Sequence, residues 1–164
     1  MSNDQRDASE VFGLEIWIIC CESCGFEDAI YDLTDMGSYG RTLGRTCLGE
    51  LTELSLTQTP VYEELIKLLR EVMGSVDLHL FLQCRERLFG LIVDSAPSGE
   101  RYTFIGPPCC RRCRGQARQV RWGEPADVAW PTPLPLATSH EWDKLSREGK
   151  IELIQGALRS WELL

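Results

Sequence analysis

The pattern CCxxC occurs twice in this chain of 164 residues, and it is the feature with the clearest chemistry. The first copy spans residues 20–24 and the second spans residues 109–113. A CxxC pair forms a tight turn that aims two thiolates at one ion, and two such pairs supply the four sulfur ligands of a tetrahedral zinc site. The expected ligands of one structural Zn²⁺ ion are Cys21, Cys24, Cys110 and Cys113.

The other four cysteines do not form a second spaced set. Cys20 and Cys109 each precede an expected ligand by one residue, so on a strand they point to the opposite face, and we expect them to pack as small hydrophobic side chains. Two alternatives stay open, namely redox-active CxxC pairs and a second metal site formed by Cys20, Cys47, Cys84 and Cys109. Disulfides are not expected, because residues 1–10 lack the features of an export signal and a reducing compartment favours metal binding.

We call each CxxC turn, with the glycine that follows it, a knuckle. Gly25 follows the first pair directly and Gly115 follows the second one residue later, where glycine permits a left-handed or closely packed backbone. The knuckles and the strands expected beside them resemble a zinc ribbon. The resemblance covers only those segments, and residues 25–109 separate the two pairs by more than is usual in zinc ribbons. It implies an elaborated ribbon with a helix-containing insertion, and it implies zinc without indicating a function.

Charge is unevenly distributed along a chain whose net charge is −8. Residues 1–35 contain nine acids and one base, whereas residues 101–121 contain six arginines and no acid. The arginines either offset the charge of a four-thiolate zinc site, bind phosphates of a nucleic acid, or face an acidic partner protein. The candidate contact residues are Arg111, Arg112, Arg114, Arg118, Arg121 and Trp122.

Strands are expected on both sides of the knuckles. Residues 13–20 are rich in β-branched and aromatic side chains and run into the first knuckle, while residues 116–122 leave the second. Residues 26–33 return as a strand or as a short helical turn. The glycine-rich residues 37–45 indicate a loop, and a phosphate-binding P-loop is disfavoured because Glu50 stands where lysine is needed.

The clearest helix is Pro60–Met73, with Thr59 as N-cap, an apolar face and Gly74 as its end. Apolar residues alternate over 78–84, which favours a strand, although a helix also fits. Residues 89–94 are expected to form a buried strand that pairs with residues 100–105 in a hairpin.

A second helix is expected near the end of the chain, with Ser146 as its N-cap. The predicted organisation is a flexible segment 1–10, a zinc-ribbon-like domain 11–124, a proline-rich connector 125–139 and a C-terminal helix within 140–164 that packs back on the domain. An exposed, partner-binding helix is the alternative. The predicted fold class is α+β, with an antiparallel sheet, an inserted amphipathic helix and this C-terminal helix.

Catalytic patterns are absent from the sequence. It has no HExxH, no nucleophile elbow and no deaminase signature, and it contains only two histidines. A four-thiolate site also lacks the open position of a catalytic zinc. We therefore expect a non-enzymatic cytoplasmic protein, outside any membrane, that binds another protein; in gross character it resembles small acidic inhibitors such as bacterial toxin-neutralising immunity proteins. A nucleic-acid-binding regulator and a thiol or metal enzyme are the alternatives.

Overall fold

Antiparallel sheets and helices make up the part of the chain that a computed structural model describes, residues 14–33, 40–57, 59–75, 77–122 and 134–163. The α+β class and the antiparallel pairing expected from the sequence are confirmed. In chain order the elements are β1 (Leu14–Cys21), β2 (Glu27–Leu33), β3 (Arg41–Arg45), β4 (Leu51–Ser55), α1 (Pro60–Met73), α2 (Leu78–Ile92), β5 (Ala117–Trp122), α3 (His140–Asp143) and α4 (Arg147–Ser160).

The larger sheet has the order β2-β1-β5 and carries both knuckles at one end. The first knuckle joins β1 to β2, so the segment that the sequence left open between strand and helical turn is a strand. The chain enters β5 from the second knuckle and pairs antiparallel to β1, with Ala117 opposite Cys21. Because β1 ends at Cys21 and β5 begins beside it, the two CxxC pairs meet although they are far apart in sequence.

The second sheet consists of β3 and β4, and it corrects the prediction of a loop over residues 37–45. Residues 41–45 form β3, whereas residues 37–39 lie outside the described part of the chain. The expected hairpin of 89–94 with 100–105 is also wrong. Thr103 instead bridges Arg45 of β3 through two backbone hydrogen bonds of 2.8 and 3.0 Å.

Helix α2 replaces the strands expected at 78–84 and 89–94. Asp77 caps it, because its carboxylate accepts hydrogen bonds from the backbone N–H groups of His79 and Leu80. Its buried side chains are Cys84, Leu88, Phe89 and Ile92, whose spacing is that of one helical face.

Helix α1 has the bounds that the sequence predicts, and it ends at Gly74. Thr59 lies at the N-cap, but its hydroxyl donates to the Ser55 carbonyl oxygen, so the expected side-chain cap is not made. Ser146 does cap α4 by accepting a 3.1 Å hydrogen bond from the Gly149 N–H. Helices α1, α2 and α4 pack around one core, to which β4, Phe104 and Trp142 also contribute. The buried helical side chains of this core include Leu65, Leu69, Leu88, Ile154 and Leu158.

The predicted flexible segment 1–10 and residues 125–133 of the predicted proline-rich connector 125–139 lie outside the described part of the chain. The end of the connector is packed against the protein: Leu134 is buried, and Leu136 forms a parallel bridge with Glu53 of β4. Among the described residues, no helix has the length and apolar character needed to cross a membrane.

Candidate metal centre

The four cysteines of the two CxxC pairs converge at the end of the β2-β1-β5 sheet. Their sulfur atoms all lie within 4.8 Å of one another. The Sγ atoms of Cys21 and Cys113 are 3.4 Å apart, and those of Cys24 and Cys110 are 3.7 Å apart. Four sulfurs at about 2.3 Å from a tetrahedral ion are separated by about 3.8 Å. The donor set and its spacing therefore fit a metal ion.

Backbone hydrogen bonds shape the first knuckle. The Cys21 N–H donates to the Phe26 carbonyl oxygen at 2.9 Å, and the Gly25 N–H donates to the Cys21 carbonyl oxygen at 2.9 Å. These two bonds close the turn and fold the chain from β1 into β2. They also leave the N–H groups of Ser23 and Cys24 directed at the Cys21 sulfur.

The second knuckle repeats the same bonds at the same spacing. The Cys110 N–H donates to the Gly115 carbonyl oxygen, and the Arg114 N–H donates to the Cys110 carbonyl oxygen, both at 2.8 Å. The Arg112 N–H points at the Cys110 sulfur, at 3.4 Å. The repeated sequence pattern therefore builds the same local structure twice.

The two glycines that follow the pairs serve different purposes. Gly25 has a left-handed backbone with φ of 66°, and in the second knuckle Arg114 takes this conformation with φ of 63°. Gly115 is needed for space, because a Cβ there would lie 2.6 Å from Ser23 Oγ and 3.2 Å from Cys113 Sγ. The close approach of the two knuckles thus depends on a residue without a side chain.

The sulfurs influence one another's ionisation. Burial raises the pKa of the Cys21 thiol, but the N–H groups of Cys24 and Ser23 more than offset it and lower the pKa to about 6. Cys113 accepts from the Gly115 N–H, which lowers its pKa, yet hydrogen bonds shared with Cys21 and the other thiols raise it to about 12. Four thiolates this close together repel one another, so a cation is what would allow all of them to ionise.

One ligand of each pair is buried and the other is exposed. Cys21 and Cys110 are buried against the body of the protein, whereas Cys24 and Cys113 face solvent. The two buried cysteines line a cavity of about 60 Å³ together with other residues that include Ile19, Ala117 and Thr46. The site is therefore at the surface but is attached to the interior through one sulfur of each knuckle.

The disulfide that Cys109 forms contradicts two expectations: that the chain contains no disulfide, and that both leading cysteines serve only as packing residues. Cys109 is bonded to Cys47, with Cα atoms 5.3 Å apart and a sequence separation of 62. A second metal site of Cys20, Cys47, Cys84 and Cys109 is not formed, because Cys84 is buried in the helical core and Cys20 is separate and half-buried. Sequence spacing gave no signal for this pairing, since Cys47 is not part of a motif.

Within the part of the chain that the structure describes, two of the candidate contact arginines form ion pairs. Arg111 lies 2.9 Å from the Asp28 carboxylate of β2, with its guanidinium 5.3 Å from the centre of the Phe26 ring. Arg114 lies 2.6 Å from the Glu100 carboxylate. Of these two ion pairs, the one between Arg111 and Asp28 joins the arginine-rich segment to the acidic segment 1–35. The sequence did not single out Asp28 as the partner of Arg111.

Arg112, Arg118 and Arg121 are exposed. In the register between β5 and β1, Arg118 lies opposite Cys20. A bulge then shifts the register, so that Arg121 lies opposite Ile18. Because alternate residues of β1 point to one face, the bulge brings Arg118 and Arg121 to the same face of the sheet. The side chain of Trp122 lies outside the described part of the structure.

A tetrahedral set of four sulfurs is typical of zinc and of iron–sulfur chemistry. Comparison of the chain with protein-family models, with curated proteins and with solved structures finds no match. The function of the chain must therefore be inferred from its own residues and their geometry.

Proposed function

We propose that this chain is a non-enzymatic zinc-binding protein whose single four-cysteine site is structural, and that it acts through contacts with another protein. The observation that carries the proposal is the convergence of the two knuckles, which brings four sulfurs within 4.8 Å of one another. Cys21, Cys24, Cys110 and Cys113 would hold the ion in the manner of a zinc ribbon. When bound, zinc would supply a crosslink and neutralise thiolate charge.

A structural role is supported by what the site connects. The first knuckle joins β1 to β2, and the second leads into β5, so an ion between them would fasten three strands at one end of the sheet. A set of four thiolates also leaves no coordination position for water or substrate. Of the two histidines, His140 contacts Asp94 and His79 contacts Gln83, both away from the cluster.

The proposed protein-binding surface is the exposed face around β5. Arg118 and Arg121 lie on one face there, and the Val120 side chain of the same strand is 48% exposed. A strand that carries exposed arginines and an exposed apolar residue has a composition typical of protein interfaces. An inhibitor of the immunity-protein type would use such a surface, and an acidic partner would complement its charge.

Metal analysis tests the first half of the proposal. We expect one zinc per chain by elemental analysis of the purified protein, and loss of that zinc together with β-sheet signal in Cys21→Ser. Cys20→Ser is the matched control, because it changes the neighbouring cysteine without removing a ligand. A metal-free wild-type protein with an intact fold would overturn the proposal. Bound iron, seen as visible thiolate-to-iron absorption, would show that the metal of the site is iron and not zinc.

Co-purification from the source organism, followed by mass spectrometry, tests the second half. A specific partner retained by the wild type and lost in Arg118→Glu/Arg121→Glu would support the β5 surface. Glu152→Gln on α4 is a suitable control, since it changes an exposed charge on a different element. Equal recovery of the partner by all three forms would place the contact elsewhere.

Nucleic acid is the second candidate ligand. It is favoured because Arg118 and Arg121 lie on one face of the sheet, where both guanidinium groups could bind backbone phosphates. The pairing of Arg111 and Arg114 with acids reduces the number of free cations for such binding. Binding of a single-stranded oligonucleotide that weakens with salt, and disappears in Arg118→Glu/Arg121→Glu, would support it. Absence of binding at low salt would exclude it.

A further inference from the structure

The disulfide and the candidate metal site are adjacent in the chain. Cys109, which is bonded to Cys47, directly precedes the ligand Cys110. The corresponding residue of the first knuckle, Cys20, precedes Cys21 but has no cysteine partner among the described residues. The two knuckles therefore have the same turn, but only the second is fastened at its base by a covalent crosslink.

The loop that carries Cys47 is itself held in place. Its neighbour Thr46 donates a backbone hydrogen bond to the Glu50 carbonyl oxygen at 3.0 Å, and the Thr46 hydroxyl donates to the Glu50 carboxylate at 3.2 Å. The same carboxylate accepts hydrogen bonds from the hydroxyl and the backbone N–H of Ser98. Cys109 is thus tied to a loop that has few ways to move, and this restrains Cys110.

The disulfide and the metal ligands also share a cavity. A cavity of about 60 Å³ is lined both by the disulfide cysteines Cys47 and Cys109 and by the buried ligands Cys21 and Cys110. Cys47 and Cys109 are each half-buried, so part of the pair is accessible to a small thiol. Opening the disulfide therefore alters a cavity that two of the four candidate ligands also line.

We infer that the oxidation state of the Cys47–Cys109 pair sets the metal affinity of the four-cysteine site, an inference that rests on the proposed zinc binding. With the disulfide closed, the second knuckle is already positioned, and closing the site around an ion costs less conformational entropy. With the disulfide open, residues 109–113 must be ordered when the ion binds. The oxidised protein binds zinc tightly, and the reduced protein releases it more readily.

The switching reaction is thiol–disulfide exchange with a low-molecular-weight thiol. One thiolate attacks a sulfur of the pair, the S–S bond breaks, and a mixed disulfide forms with release of one cysteine thiolate. A second small thiol attacks the mixed disulfide, releases the other cysteine and leaves as the small-molecule disulfide. Two electrons and two protons pass from the two small thiols to Cys47 and Cys109, and reoxidation reverses these steps.

Linkage makes the effect reciprocal. If closing the disulfide strengthens zinc binding by a given factor, zinc must favour closing of the disulfide by the same factor. Typical couplings of this kind are about 5- to 150-fold. Two separate measurements must then agree, which distinguishes coupling from a general loss of structure.

The test uses the full chain loaded with zinc. Zinc dissociation constants are measured by competition with a chromogenic chelator for the oxidised wild type, for the wild type reduced by a phosphine, and for Cys47→Ser/Cys109→Ser. We expect the last two to bind zinc more weakly than the first by on the order of tenfold. Cys20→Ser is the matched control and should behave as the oxidised wild type, because it changes the equivalent cysteine of the other knuckle.

The second arm follows the cysteines themselves. Alkylation and peptide mass spectrometry measure the fraction of Cys47 paired with Cys109 in glutathione buffers, with zinc and with a chelator, and the shift should equal the change in zinc affinity. Equal zinc affinities in all forms, or failure of the pair to close in oxidising buffer, would overturn the coupling while leaving zinc binding intact. A wild type that takes up no metal in either state would overturn both proposals, and the metal content alone identifies that outcome.

Discussion

Gly25 and Arg114 occupy the same position in the two knuckles and share a left-handed backbone, with φ values of 66° and 63°. Each donates its N–H to the carbonyl oxygen of the first ligand of its pair, Cys21 or Cys110. For an L-residue other than glycine, this conformation costs about 1–2 kcal/mol. The second knuckle tolerates that cost, whereas the first avoids it.

Gly25→Ala should therefore destabilise the metal-loaded protein by about 1 kcal/mol, because alanine must adopt a left-handed backbone there although its Cβ meets no neighbour. Chemical denaturation measures the free energy of unfolding. Gly156→Ala is the control: it lies inside α4 with open space around the new Cβ, and it should stabilise by about 0.5–1 kcal/mol. Equal effects of the two substitutions would contradict the backbone argument.

Arg114→Gly should have the opposite sign to Gly25→Ala. Glycine relieves the left-handed strain, but the substitution also removes the ion pair with Glu100, in which the arginine side chain is 53% exposed. We therefore place the change in a Glu100→Gln background, where no ion pair is lost, and expect a gain of about 1 kcal/mol in the free energy of unfolding. A loss of stability in that background would show that Arg114 has a further role.

Gly115→Ala should weaken metal binding, because its Cβ would approach Ser23 Oγ to 2.6 Å and Ser23 Cβ to 3.0 Å, and would press on Cys113. Zinc competition with a chelator measures the effect, which we expect to be at least tenfold. Ser23→Gly in the same chain removes the obstructing side chain and should restore most of the affinity. If the second substitution brings no recovery, the close approach of the knuckles is not the reason for Gly115.

The structure shows which local signals in the sequence were sufficient. Helix α1 could be predicted because Pro60, an apolar face and Gly74 all agree with one another. Over residues 78–84 the apolar side chains fit both periods, and the decisive signals were Asp77 as a cap and Leu88 in continuation of the helical face. When the apolar pattern is followed from residue 78 to Ile92, instead of being divided into two segments at Phe89, it fits a helix better than a strand.

Contacts between residues far apart in sequence could be predicted only in part from local sequence patterns. The four ligands could be named because each pair carries its own spacing, whatever the length of chain between them. The disulfide partner of Cys109 could not be predicted, because sequence spacing does not distinguish among the remaining cysteines. Only the position of the 46–50 loop in the fold brings Cys47 to Cys109. Pairing of Arg111 with Asp28 likewise depends on the two knuckles meeting.

Asp94 should make the free energy of unfolding depend on pH in the acidic range. Burial raises the pKa of its carboxyl, but hydrogen bonds from the N–H of Glu141, the hydroxyl of Thr138 and the N–H and ring of His140 more than offset it and hold the pKa well below its usual range. A lowered pKa stabilises the fold above the unfolded-state pKa of about 3.9 and loses that contribution as pH falls toward the folded-state value.

Asp94→Asn should thus cost about 2 kcal/mol near neutral pH, since hydrogen bonds to a charged acceptor are lost. The difference from wild type should shrink as pH falls below about 4, where the wild-type carboxyl becomes protonated on unfolding. Denaturation at several pH values measures both. Asp143→Asn is the control, because Asp143 lies in α3, whose first backbone N–H groups donate to Asp94, but itself accepts one exposed hydrogen bond, from Ser139; its replacement should have little effect at any pH. A difference between Asp94→Asn and wild type that stays constant down to pH 2 would contradict the linkage.

Glu64 joins α1 to the C-terminal part of the chain. Its carboxylate accepts hydrogen bonds of 2.8 and 3.0 Å from the Lys150 ammonium and one of 2.8 Å from the Trp142 indole, and the ammonium lies 5.2 Å from the centre of that ring. Lys150 is 9% exposed at its side chain and Glu64 is 38% exposed, so the pair is neither fully screened nor fully buried.

Removing one partner of this pair should cost more than removing both. Lys150→Met leaves Glu64 charged beside apolar neighbours, and we expect a loss of about 1–2 kcal/mol, below the 3–5 kcal/mol of a fully buried pair because water reaches the carboxylate. Adding Glu64→Gln removes the stranded charge while its amide oxygen can still accept from Trp142. The double-mutant cycle should give a coupling energy of about 1 kcal/mol between residues 64 and 150. Additive losses would mean that Lys150 contributes by packing its methylene chain over Trp142 and not by its charge.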